Sequence, residues 1–140
     1  MITALDTNIL IALWDRDDVL NSAALTALDD AFARGSLVLC GAVFAELMAF
    51  PKRTDEFLTK FLNDTEIVVD WKTDEAAWRT AGRAFRAHAD RRRKQRSDGP
   101  RRILADFFIG AHALENGYSL LTLDDGIYRA AFPKLRIFRV

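Results

Sequence analysis

Four acidic residues stand where a merely solvated carboxylate would be out of place. Asp6 directly follows the apolar run Ile2-Thr3-Ala4-Leu5, and Glu46 is flanked by Val43, Phe44, Ala45, Leu47 and Met48. Asp106 sits inside Ile103-Leu104-Ala105-Asp106-Phe107-Phe108-Ile109, and Asp124 follows Leu121-Thr122-Leu123. An ionised carboxylate in such surroundings is costly unless positive charge lies beside it. These stretches contain no Lys or Arg. If the four converge, they also repel one another. A bound cation resolves both problems, and a site built only of oxygen ligands suits Mg2+ or Mn2+. Such an ion polarises a phosphate and lowers the pKa of an attacking water, and two ions about 4 Å apart stabilise both the entering and the leaving oxygen of a phosphodiester.

Each acid also has a plainer use. Asp6 can cap a following helix, and Glu46 can pair with a distant arginine. Asp106 suits the first turn of a helix, while Asp124 and Asp125 suit a turn. The metal reading draws its weight from the set of four. Asn8 and Thr122 each lie two residues from one of these acids. Both can orient a carboxylate or a water by hydrogen bonding, or serve simply as turn and strand-end residues.

Placing these groups together requires strands that end at Asp6 and Asp124. Residues 2–5 read as a short buried strand, followed by a periodic apolar stretch (Ile9, Leu10, Leu13) that Asp6 or Thr7 can cap. Ala24, Leu25, Leu28 and Phe32 predict a second helix, opened by Asn21 or Ser22 and closed at Gly35. Residues 37–40 and 67–69 read as strands. Between them, a helix is expected over 43–50, stopping at Pro51, and another is marked by Phe57, Leu58, Phe61 and Leu62. A long helix is predicted from Asp74 to about Arg91, then an exposed loop over 91–102 around Gly99-Pro100. A very apolar helix over 103–114, a strand over 119–123, a short helix over 127–132 and a last strand over 135–140 complete the chain. Strands alternating with helices predict an α/β layer fold with a mainly parallel sheet, in a single domain over 1–140. In such sheets ligands bind beyond the carboxyl ends of the strands.

The formal net charge is zero, yet the charge is strongly segregated. Residues 1–78 carry 14 acidic and 6 basic side chains, and residues 79–140 carry 6 acidic and 14 basic ones. Ten of the basic residues are Arg79, Arg83, Arg86, Arg91, Arg92, Arg93, Lys94, Arg96, Arg101 and Arg102. Arg79, Arg83 and Arg86 share a helix face, and the basic residues after them extend a positive surface of the kind that binds nucleic-acid backbones. The same stretch can also act as a solvated face or dock an acidic protein partner.

Other residues point less far. Cys40, the single cysteine, excludes an intramolecular disulfide and reads as a buried structural thiol. His112 lies about 120° around its helix from Asp106, so the two face different ways. It and His88 read as structural, and Trp14, Trp71 and Trp78 as core or interface. The seven glycines are scattered singly, so no Gly-rich phosphate loop is present. Asp6-Thr7-Asn8 lacks the second acid expected of an aspartyl-phosphate enzyme. No signal-like segment begins the chain, and no apolar run approaches the ~20 residues that span a bilayer. A cytoplasmic protein with no membrane association is the expectation.

Four stretches, taken in order, resemble one known family. They are Leu5-Asp6-Thr7-Asn8-Ile9-Leu10, Phe44-Ala45-Glu46-Leu47, Ala105-Asp106-Phe107-Phe108-Ile109-Gly110-Ala111-His112-Ala113, and Leu121-Thr122-Leu123-Asp124 with Phe132-Pro133 behind it. Their order and spacing are similar to those of PIN-domain ribonucleases, especially the VapC-type toxins of prokaryotic toxin–antitoxin pairs. The resemblance implies a PIN-like three-layer fold and Mg2+- or Mn2+-dependent endonucleolytic cleavage of RNA. It also implies a homodimer and inhibition by a cognate antitoxin. By position, Asp6, Glu46, Asp106 and Asp124 correspond to the family's acidic metal site, and Asn8 and Thr122 to its polar neighbours. One departure is Leu123, where many relatives carry a basic residue, and it leaves Asp125 as a rival or helper to Asp124. The family also includes silent members, so a PIN-like RNA- or protein-binding module is the alternative.

Overall fold

The computed structural model describes residues 1–95 and 104–140. Its centre is a five-stranded sheet in which every pairing is parallel. The strands are β1 (Ile2–Leu5), β2 (Ser36–Cys40), β3 (Val68–Asp70), β4 (Ser119–Thr122) and β5 (Ile137–Arg139). Among the described residues seven helices accompany them: α1 (Thr7–Trp14), α2 (Asn21–Arg34), α3 (Gly41–Met48), α4 (Asp55–Thr65), α5 (Glu75–Gln95), α6 (Leu104–Glu115) and α7 (Gly126–Ala131). This is the α/β fold expected, with helices flanking a parallel sheet.

The strand order is β3-β2-β1-β4-β5. The chain therefore builds outward from β1 to β3, then returns across the sheet and builds outward again from β4. That reversal creates a switch point between β1 and β4, where a parallel α/β sheet opens a crevice at its carboxyl edge. Leu5 is in register with Leu121, and the Asp6 amide donates to the Leu121 carbonyl at 3.0 Å. Asp6 is thus carried to the carboxyl edge beside the end of β4.

Burial follows the apolar patterning. β1, β2 and β4 are buried over nearly their whole length, as central parallel strands must be. Their side chains join Ile9 and Leu10 of α1, Val43 and Leu47 of α3, and Phe107, Phe108 and Ile109 of α6 in one core. Trp14 ends α1 inside an aromatic cluster, with Phe57 and Phe61 each 5.2 Å away edge-on. Trp71 and Trp78 are instead 65% and 46% exposed, so of the three tryptophans only Trp14 is core in this chain.

Several boundaries differ by one or two residues from the sequence expectation, as α3 does at both ends, and two departures have a plain local cause. α5 runs to Gln95, so Arg91, Arg92, Arg93 and Lys94 are helical rather than part of a loop. Nothing before Gly99 breaks a helix, Arg, Lys and Gln are good helix formers, and basic groups in a last turn favour its dipole. The last strand also begins at Ile137, because Leu135 is held in a turn by its amide bonding to the Phe132 carbonyl at 3.0 Å.

Gly35 ends α2 at φ 152°, and a Cβ there would stand 1.9 Å from the Met1 carbonyl oxygen, so only glycine fits between α2 and β2. Gly110 has a different reason. A Cβ on it would lie 2.3 Å from Cε2 of Phe132, a ring that is itself buried. Gly110→Ala is expected to cost about 1–3 kcal/mol of stability through overpacking, measured by urea denaturation. Adding Phe132→Leu in the same chain should recover part of that loss.

Candidate active site

The centre of the carboxyl edge is the Asp6 carboxylate, 6% exposed. Its Oδ1 accepts the Thr7 amide at 2.7 Å. Its Oδ2 accepts two hydroxyls, from Thr122 at 2.8 Å and Tyr128 at 2.9 Å. Asp6 is the N-cap of α1 in an extended conformation, so it serves as a helix cap and as the hub of a buried polar cluster at once. Burial raises its pKa; the Thr122, Tyr128 and Thr7 hydrogen bonds oppose that rise, and the charge of Glu46 adds to it.

Glu46 reaches the cluster from α3. Its Oε1 accepts the Thr7 hydroxyl at 2.8 Å, with no arginine in the contact. Asp106 enters from the first turn of α6, where a helix dipole favours an acid. Burial, followed by the charges of Asp6, Asp106 and Glu46, pushes the Tyr128 phenol far above its usual range. One buried hydroxyl therefore senses acids from β1, α6 and α3 together.

Thr122 organises the other side. Its hydroxyl, in a fully buried residue, donates to Asp6 and accepts from the Asp124 amide at 3.1 Å and the Asn8 side-chain amide at 3.4 Å. Asn8 in turn accepts the Leu123 amide at 3.2 Å. Asn8 thereby ties α1 to the end of β4.

The two acids after β4 part company. Asp124 is exposed, and its Oδ1 accepts the Gly126 amide at 3.3 Å, which is turn chemistry. Asp125 pairs with Arg129 and, at 3.7 Å, with Arg139. The Arg129 hydrogen bond, ahead of every other influence, holds the Asp125 carboxyl below its ordinary range. Among the described residues, no three His, Cys, Asp or Glu side chains are already arranged to hold a metal ion.

Tyr128 and Thr7 are the members that sequence reasoning missed, Thr7 having been considered only as a cap. A tyrosine in an apolar helix should have raised the question of where its hydroxyl finds a partner. Of the basic residues, Arg79 bonds Glu75 at 3.0 Å and Arg93 pairs with Asp90, both within α5. Arg83 donates to the Thr80 hydroxyl at 3.2 Å, and Thr80 donates to Glu115 at 2.7 Å. Arg96, Arg101 and Arg102 lie outside the described residues. Cys40 is buried, and burial, with the Asp6 charge adding, pushes its thiol up, so it carries no nucleophile.

A parallel α/β sheet with buried acid at its switch point defines a class of site that binds at the strand carboxyl ends. The PIN domain family model matches residues 3–133, and the chain belongs to that family. No curated protein matches it. Among solved structures, VapBC2 from Rickettsia felis, bound to a DNA fragment of its promoter, is 16% identical with a TM-score of 0.65, covering 100% of this chain and 99% of that one. VapBC-1 from nontypeable Haemophilus influenzae is 24% identical with a TM-score of 0.64, covering 99% and 98%. VapC20 from Mycobacterium tuberculosis, a toxin that cleaves the sarcin–ricin loop, is 16% identical with a TM-score of 0.59, covering 96% and 98%. What this chain shares with them, over 96% or more of each chain, is the fold. Among the described residues, no helix is long and apolar enough to cross a membrane.

His112 lies apart from the acids. It is 2% exposed, and its Nε2 meets Asp70 Oδ2 at 2.9 Å, pinning α6 to the end of edge strand β3. The His112 hydrogen bond is the main cause that lowers the Asp70 pKa. A carboxyl depressed in the fold adds stability above its unfolded pKa of about 4 and loses it as pH falls through the folded value. Asp70→Asn is therefore expected to cost about 0.5 kcal/mol at pH 7, a small figure because the carboxylate is partly exposed and screened. Urea denaturation repeated as pH is lowered below the usual carboxylate range should show that cost shrinking towards zero.

Proposed function

We propose that this chain is a divalent-metal-dependent endoribonuclease that hydrolyses RNA phosphodiester bonds, and that it acts as the toxin of a toxin–antitoxin pair. The observation that carries this reading is the buried Asp6 carboxylate at the sheet's switch point, with the charges of Glu46 and Asp106 bearing on the same phenol. Membership of the PIN family supports a nuclease, and solved neighbours that are toxin–antitoxin complexes support an antitoxin partner. The proposal extends to a cytoplasmic homodimer.

Asp6, Glu46, Asp106 and Asp124 would hold Mg2+ or Mn2+. The donor set fits such an ion, since every side chain offers hard oxygen and the Asp6 charge is disfavoured by burial. When bound, the ion supplies Lewis acidity towards a phosphate oxygen and a lowered pKa for an attacking water. The chain's own residues do the positioning. Thr7 holds Glu46 towards α1, Thr122 and Tyr128 hold Asp6, and Asn8 holds the Asp124 turn against α1. The basic face of α5 and the basic residues after it would bind the RNA backbone.

The alternative is a silent PIN-like module that binds RNA or protein without cleaving it. The observation that favours it is the absence, among the described residues, of three acids already gathered around a metal position.

Incubating a mixed cellular RNA pool with the purified full chain separates the two. With Mg2+ or Mn2+ cleavage is expected, with EDTA none, and Asp6→Asn or Asp106→Asn should each lower the rate by at least about 100-fold. Equal cleavage by both variants would mean a contaminating nuclease and no activity of this chain. RNA retained in EDTA without cleavage under any metal would establish the silent module instead.

Arg83 tests the basic face separately. Arg83→Ala should weaken RNA binding by the Asp106→Asn chain and reduce the slope of log affinity against log salt by about one. Filter binding over a salt series measures it, and an unchanged slope would remove Arg83 from the interface.

A further inference from the structure

The donors on Asp6 are unevenly shared between its two oxygens. Oδ1 accepts one hydrogen bond, from the Thr7 amide, while Oδ2 accepts two, from Thr122 and Tyr128. A carboxylate oxygen offers two lone pairs in its plane. Both lone pairs of Oδ2 are thus committed, and one on Oδ1 remains. We propose that Tyr128 is a positioning residue that confines Asp6 to ligation through Oδ1 alone, and so selects small octahedral divalent ions over calcium. This rests on the metal-dependent reading above and deepens it by assigning the selectivity of the site.

The two hydroxyls are held in that role from several directions. Thr122 accepts from Asn8 and from the Asp124 amide, and of the two acceptors its one proton can meet, Asp6 Oδ2 at 2.8 Å is closer than the Asp124 carbonyl at 3.2 Å. Tyr128 is 1% exposed and belongs to the core, leaving its hydroxyl no bulk water to turn to. That hydroxyl carries one proton, and it donates to Asp6 Oδ2 at 2.9 Å. Removing the Tyr128 hydroxyl strands nothing but Asp6, whereas removing that of Thr122 also strands the Asn8 side chain and the Asp124 amide.

Ion chemistry converts this geometry into selectivity. Mg2+ takes six ligands in a near-ideal octahedron and accepts one oxygen from each carboxylate. Ca2+ takes six to eight, often with both oxygens of a carboxylate. Committing Oδ2 to hydroxyls costs the smaller ion nothing and denies the larger one its second oxygen. Mn2+ should behave as Mg2+ does.

The test is calorimetric titration of Mg2+, Mn2+ and Ca2+ into the purified full chain and into Tyr128→Phe, with no RNA present. The natural chain is expected to bind Mg2+ and Mn2+ more tightly than Ca2+. Tyr128→Phe should raise the ratio of Ca2+ to Mg2+ affinity about tenfold, the scale of one hydrogen bond to a charged group. A merely structural tyrosine would weaken all three ions together and leave that ratio alone, and an unchanged ratio overturns the proposal while the nuclease reading stands. A natural chain that binds Ca2+ as tightly as Mg2+ overturns it too, whether or not the variant folds. No binding of any divalent ion would overturn both.

Discussion

Burying the Asp6 carboxylate is the constraint around which this fold is arranged. A charge taken out of water must be met by donors fixed in place, and here they come from three parts of the chain: the start of α1, the end of β4 and α7. Thr122 and Tyr128 lie 116 and 122 residues from Asp6. Only a chain that leaves β1, builds one half of the sheet and returns to β4 can bring them there. The parallel β1–β4 pairing and the Asp6 cluster therefore depend on each other. The backbone register places the donors, and the donors make it tolerable for β1 to end in a buried acid.

Packing carries that arrangement outward. Gly110 lies one turn beyond Asp106 on α6, and its missing side chain is the space that the Phe132 ring fills at the end of α7. Phe132, in turn, closes α7 through its amide on the Tyr128 carbonyl at 2.8 Å. A small residue on one helix thus sets how closely the next approaches, and that approach puts the Tyr128 hydroxyl on Asp6. An energetic link of this kind runs from core volume to the orientation of a charged oxygen. It explains why a methyl group well away from the acids matters to them.

Much of this was legible in the sequence, for a physical reason. Short apolar runs ending in acid mark strands that deliver a carboxylate to the sheet edge, and Asp6, directly after β1, follows that rule. The hydroxyl of Tyr128 did not show, because its reason for being buried is a partner far along the chain and periodicity sees only neighbours. The main partner of Asp125, Arg129, was available at helical spacing, whereas its second partner, Arg139, comes from β5 and was hidden likewise. By contrast, the pairing of Arg79 with Glu75 and of Arg93 with Asp90 was available at helical spacing. It reduces how much of the basic run is offered to a partner. α5 continues past Arg91 because charge alone does not end a helix and no helix breaker precedes Gly99 in the sequence.

The raised Asp6 pKa gives the site its cost. A carboxyl whose folded pKa exceeds its unfolded value stabilises the fold only when protonated. That contribution is complete below about pH 4 and is lost as pH rises through the folded value. The fold therefore keeps, near Glu46, a carboxyl whose charged form its own burial disfavours. Natural chains retain such a residue when something else rewards it. A cation that meets the acids together removes the repulsion and adds its own binding to the folded state alone. The same free energy then appears twice, as affinity for the ion and as stability of the fold. The more the core forces the acids to stay charged and close, the larger both become. On the metal-dependent reading proposed above, Asp6 would be a loss of stability in the empty chain, held in place by Thr122 and Tyr128, that a bound ion would offset.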